Sequence, residues 1–131
     1  MNTLMKLSFV IALVLFVSSF VAAQAPTMTD QEYNQYLMKS LNDENVGIRA
    51  SAAQLLGERK VQDAVEPLVK MLQCEKNNSA RIVVALALHK IGGEKAIPEL
   101  KKLAKYDKCK SVRHVAAAIV KEMATLQVAQ K

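Results

Sequence analysis

The sequence holds no tryptophan, three tyrosines, two histidines and two cysteines among its 131 residues. Each scarcity removes a class of function. Sequence-tolerant nucleic-acid binders stack bases on aromatic side chains. With no tryptophan, and with Tyr33 and Tyr36 drawn into one helical stripe, no such platform is left, and no nucleic-acid partner is expected. His89 and His114 have no further ligands following at metal-site spacing, so no metal is expected. Ser40, Ser51, Ser79 and Ser111 are scattered over helix surfaces and caps, with no base and orienting group brought to them. The reading is therefore not an enzyme, and no cofactor is expected. No apolar/polar alternation runs through the chain after residue 23, which excludes a β-fold.

The apolar fraction of 51% is raised by one segment. Met1 to Lys6 carries a single positive side chain, Leu7 to Phe16 is nearly unbroken apolar sequence, and Ser18 and Ser19 close the run. Val21-Ala22-Ala23 then supplies the small residues that a signal peptidase accepts. We expect a secretory signal over 1–23, cut after Ala23 to leave Gln24 first, since a cut after Ala25 would put Pro26 at the new terminus. The segment has no cysteine to carry a lipid. An uncleaved anchor is the alternative, because Leu7 to Ala23 reaches the short end of a membrane span. Cleavage implies a periplasmic or secreted protein without a membrane attachment. The net charge of +6 permits an acidic partner without demanding one.

The dominant signal is an internal repeat of 32 residues. At that spacing Asp43, Glu75 and Asp107 fall in one column, Arg49, Arg81 and Arg113 in a second, Ala53, Ala85 and Ala117 in a third, and Leu56, Leu88 and Val120 in a fourth. Each unit reads as two helices. Ile48, Ala52, Leu55 and Leu56 follow helical spacing, with Gly57 read as the stop, and Val61, Ala64, Val65, Leu68, Met71 and Leu72 follow it in the second helix. Gly92-Gly93 makes the equivalent turn one unit later, and Pro67 and Pro98 sit early in each second helix, where a missing N–H matters least.

The strings NVGIRASAAQLLG and SARIVVALALHKIGGEKAIPEL resemble HEAT repeats, of the short kind also seen in phycobilisome-lyase-like proteins. The resemblance covers about residues 41 to 124 and rests on the arginine, the small alanine pair, the Leu-Gly end and the Ala-Ile-Pro-x-x-Leu start. It implies an all-α, right-handed superhelix of about six helices whose second helices line an inner face. The third unit departs from the pattern at Lys121, which stands where the first unit has Gly57 after its leucine. We divide the chain into a loose stretch 24–28 and a repeat domain 29–131. Within it lie a capping helix 29–42, repeats 43–74 and 75–106, and a half repeat 107–128. Thr29-Asp30-Gln31-Glu32 reads as a capping box, with Met28 and Tyr33 placed to staple the helix entry. Residues beyond Val128 are expected to be loose.

Three sets of side chains are candidates for structural or functional roles. The acid column Asp43, Glu75, Asp107 and the arginine column Arg49, Arg81, Arg113 are expected to form a ladder tying loops to helices across units. Asn45 and Asn77 read as helix N-caps. Cys74 and Cys109 are read as lying in loops on one edge of the stack, where an oxidising compartment would let them pair. Lys95, Lys101, Lys102, Lys105, Lys108 and Lys110 crowd one stretch, and Lys70 and Lys102 share a repeat position. Either these lysines form a solvated face, or Lys70, Lys101 and Lys102 mark where an acidic partner binds. The resulting reading is a scaffold for an unidentified protein partner, with polyanion or envelope-surface binding as the alternative. Nothing in the sequence fixes the oligomeric state.

Overall fold

The structure is a computed structural model and describes residues 27–129. The expected signal, residues 24–26 and the last two residues lie outside it. Six α-helices follow one another among the described residues: α1 Asp30–Ser40, α2 Val46–Glu58, α3 Val65–Cys74, α4 Asn78–Ile91, α5 Ile97–Tyr106 and α6 Lys110–Ala129. One-turn 3-10 helices, Gln62–Ala64 and Glu94–Ala96, lead into α3 and α5. The pairs α2–α3 and α4–α5 are the two full units. The single helices α1 and α6 stand at the two ends, and no strand occurs among the described residues.

Local chemistry starts each helix. Glu32 donates its backbone N–H to Thr29 Oγ1 at 3.2 Å while its carboxylate accepts from the Thr29 N–H at 2.8 Å, a complete capping box. Asn45 Oδ1 accepts from the Gly47 N–H at 2.8 Å and Asn77 Oδ1 from the Ala80 N–H at 3.0 Å, so both asparagines cap. Met28 remains 58% exposed, whereas the Tyr33 ring packs on the core and carries the Arg59 guanidinium over its face at 5.1 Å. Arg59 is held there by Asp30 at 2.6 Å and Asn34 at 2.8 Å.

Helix ends are where the sequence reading needs correction. Gly92 stops α4 as expected, at φ 80 with its N–H donating to the Leu88 carbonyl. Gly57 does not stop α2, which runs on to Glu58. The stop falls at Lys60, in the left-handed region at φ 51, where the Val61 N–H donates to the Leu56 carbonyl and the Lys60 N–H to the Gly57 carbonyl. Those two bonds form a Schellman ending built on a lysine instead of a glycine. Gly57 serves packing: it is buried on α2 where Ala87 of α4 crosses.

Packing follows the repeat. α4 lies between α2 and α6, and α3 and α5 close the apolar faces of α4 and α6. Leu56, Val84, Leu88 and Val112 of this layer are fully buried together with Leu68 and Leu100 from the second helices. The alanine columns keep the helices close, with Ala53 and Ala85 buried between neighbours. α1 covers Ala52 through Leu37 and Leu41 but leaves Ile48 exposed.

Candidate functional site

The arginine and acid columns meet in the loops between units, and their register is diagonal. Arg49 donates from Nε to Glu75 Oε2 at 2.8 Å, reaching the acid of the following unit and not the one six residues before it. To its own loop it gives Nη1, bonded to the carbonyls of Asp43 at 2.7 Å and Glu44 at 2.9 Å. Arg81 repeats the arrangement one unit on. Its Nε and Nη2 donate to the two oxygens of Asp107 at 2.7 and 2.8 Å, and Nη1 donates to the carbonyls of Glu75 and Lys76. Each acid also turns its own loop, accepting at 2.8 Å from the N–H two residues later: Asp43 from Asn45, Glu75 from Asn77, Asp107 from Cys109. The Arg81–Asp107 pair is nearly dry, with both side chains 6% exposed. The hydrogen bond from Arg81 holds the Asp107 carboxyl below its ordinary pKa against its burial. Burial works in the same upward sense on Glu75, but bonds from Asn77 and Arg49 outweigh it and leave that carboxyl lowered as well.

Beside each rung the surface opens into a cleft, and the two clefts are the same place in successive units. One, of about 330 Å³, is lined by Asp43, Arg49, Lys70, Glu75 and Lys76; the other, of about 570 Å³, by Glu75, Arg81, Lys102, Asp107 and Lys108. Lys70 and Lys102 occupy matching rims, both exposed. Lys102 lies 4.0 Å from Glu99, and Lys101 is exposed beside it. Tyr106, 70% exposed, lines the second cleft where Cys74 lines the first.

Both cysteines are unbonded thiols in this structure. Cys74 is the last residue of α3 and not a loop residue, and it is exposed. Cys109 stands at the repeat position of the capping asparagines, directly before α6. The N–H groups of Val112 and Ser111 bond its sulfur and lower the thiol's pKa. The thiolate is therefore favoured in the folded chain. The stability this adds is present above the unfolded thiol pKa and is lost as pH falls through the folded value. In the reduced Cys74→Ser variant, alkylation of Cys109 should accelerate with a midpoint below the usual thiol value of about 8.5, and the midpoint should return there in urea. Equal midpoints in the two states would refute this role of the helix N–H groups.

His89 Nε2 lies 3.3 Å from Glu122, and His114 is exposed on α6. No cluster of three His, Cys, Asp or Glu side chains fit to hold a metal occurs among the described residues, nor does a helix long and apolar enough to cross a membrane.

Paired helices at a fixed period, an arginine–acid ladder between units and repeat-related clefts define an α solenoid. A family model described as HEAT repeats matches residues 34–121, and the chain belongs to the HEAT repeat family. Members of that family generally act as protein-interaction scaffolds and are typically non-catalytic. Among curated proteins no match is found.

Proposed function

We propose that this chain is a non-catalytic scaffold acting outside the cytoplasm, in the periplasm or after secretion, which presents its second-helix layer to a protein with an acidic surface. The observation that carries the reading is the charge arrangement at the clefts. Glu75 and Asp107 are tied up by Arg49 and Arg81, while Lys70 and Lys102 rim the same clefts at matching positions, both exposed, with Lys102 4.0 Å from Glu99. A row of exposed cations spaced by the repeat suits an acidic ridge or an acidic helix. Export rests on the order of charged, apolar and small residues over 1–23.

The test is capture from an envelope or secreted fraction followed by mass spectrometry, using the wild type and the variant Lys70→Glu/Lys101→Glu/Lys102→Glu. Rim charges act chiefly on association rate and partner choice, so the triple reversal should reduce capture on the order of tenfold or more. The helical circular-dichroism signal and Tm should stay near those of the wild type. Equal capture by the folded variant would assign the lysines to a solvated face. A polyanion bound through the run Lys95 to Lys110 would be released steeply by salt, a packed protein interface much less.

A further inference from the structure

Among the described residues the ladder is open at both ends. Arg113 donates from Nη1 to the Asp107 carbonyl at 2.6 Å, the same own-loop bond that Arg49 and Arg81 make. Its Nε and Nη2, the atoms that grip a carboxylate at Arg81, bond nothing among the described residues. At the other end Asp43 accepts from the Asn45 N–H through Oδ1, and its Oδ2 has no arginine, although the matching carboxylates of Glu75 and Asp107 each hold one. One end thus offers a guanidinium fork without a carboxylate, and the other a carboxylate without a fork.

The rest of the two end faces is equally complementary. Among the described residues, α6 is a first-layer helix with no second helix packed after it, and α1 is a second-layer helix with no first-layer helix packed before it. Ala117 of α6 is exposed at the position where Ala53 and Ala85 are buried under the next unit, and Val120 is half-buried where Leu56 and Leu88 are fully covered. On the opposite face Ile48 is 45% exposed where the matching Ala80 is 2% exposed. Ile48 lines a shallow cleft with Tyr33, Tyr36, Ser51 and Leu55, on the side of α2 that a preceding first-layer helix would cover.

We propose that copies of this chain associate head to tail, the Arg113 guanidinium of one copy gripping the Asp43 carboxylate of the next. α6 then lies along α2 of the neighbour as α2 lies along α4 within the chain, and the neighbour's α1 takes the place of a second helix after α6. The contact pairs two different surfaces, so each added copy leaves the same two ends free, and growth is open unless the rotation closes a ring.

The full-length gene product, in the form its expression host delivers, is tested by analytical ultracentrifugation across a concentration series. Asp43→Asn keeps the acceptor for the Asn45 N–H and removes the charge, and Arg113→Gln removes the fork. Circular dichroism checks that both remain folded. The wild type should grow in mass with concentration, and each variant alone should stay monomeric. The mixture of the two should form a one-to-one dimer and nothing larger, since only one intact junction can be assembled. Wild type alone, with no mutation, should dissociate as ionic strength rises. A wild type that stays monomeric, variants that associate like the wild type, a mixture that does not dimerise, or association indifferent to salt would each overturn the proposal.

Discussion

Replacing Arg81 with leucine should lower stability by about 3–5 kcal/mol, the largest loss expected from any single substitution in the ladder. The guanidinium makes two bonds to Asp107, two to backbone carbonyls of the preceding loop and one to Asn78 Oδ1. Leucine fills much of the volume but answers none of these acceptors. The Asp107 carboxylate, 6% exposed, is left with the Cys109 N–H and, in place of the bound guanidinium, only the charge of the exposed Lys108 nearby. A domain of this size has a total stability of only about 5–15 kcal/mol, and Tm should fall on the order of 15–25 °C. Arg49→Leu should be milder, because Arg49 is 20% exposed and water can reach its place. The double variant Arg81→Leu/Asp107→Leu separates the two contributions. Removing the stranded carboxylate as well should recover a substantial part of the loss, since the penalty lies in an uncompensated buried charge more than in the absent attraction. The pair also sets the acid limb. Asp107 has its pKa depressed by Arg81, so its contribution is present above the unfolded carboxyl value of about 3.9 and is lost as pH falls through the lower folded value. Arg81→Leu should flatten that limb. A Tm within a few degrees of wild type, or a double variant no better than the single, would mean that the ladder is not what joins the units.

The repeat made most of the fold legible before any coordinate. Alanine, leucine and arginine columns in register set the helix pairs and their order, and Thr29, Asn45 and Asn77 marked three helix starts by cap chemistry alone. The diagonal register of the ladder was not legible. Arg49 is six residues after Asp43 and 26 before Glu75, and both acids recur with the repeat, so spacing alone cannot choose between them. The choice is made by loop geometry: each arginine bonds its own loop's carbonyls, which directs Nε toward the next unit. The clefts were hidden for the same reason, since they exist only between units. Cys74 was misplaced because α3 runs to its end without any glycine or proline to stop it, so its boundary carries no sequence mark.

Gly57→Leu should be the most disruptive single change at the contact of the two full units, and even Gly57→Ala should destabilise. A Cβ built at Gly57 would lie 2.7 Å from the Ala87 Cα, 2.9 Å from its Cβ and 3.3 Å from its carbonyl oxygen. The first of these neighbours is backbone inside a helix and cannot rotate away, so α2 and α4 must separate along their whole contact, loosening the packing around Leu56 and Leu88. Overpacking of this kind typically takes about 1–3 kcal/mol. Alanine recovers up to about 1 kcal/mol through its better helix propensity, leaving a net loss on the order of 1–2 kcal/mol. Leucine adds three more carbons to the same gap and should exceed 3 kcal/mol or prevent folding. Gly47→Ala in the same helix is the control, because its methyl would meet no backbone and only the capping Asn45 Oδ1 at 3.1 Å, a side-chain atom that can give by a few tenths of an ångström, and its Tm should fall less than that of Gly57→Ala. The equivalent position one unit on is His89, half-buried with Nε2 3.3 Å from Glu122, so the next helix contact accommodates an imidazole where this one accommodates no side chain. The glycine is thus required by the particular approach of α2 to α4 and not by the repeat position itself. If Gly57→Ala melts at or above the wild-type temperature, the close crossing at Ala87 is not a constraint, and the glycine would have to be explained as a helix terminator after all.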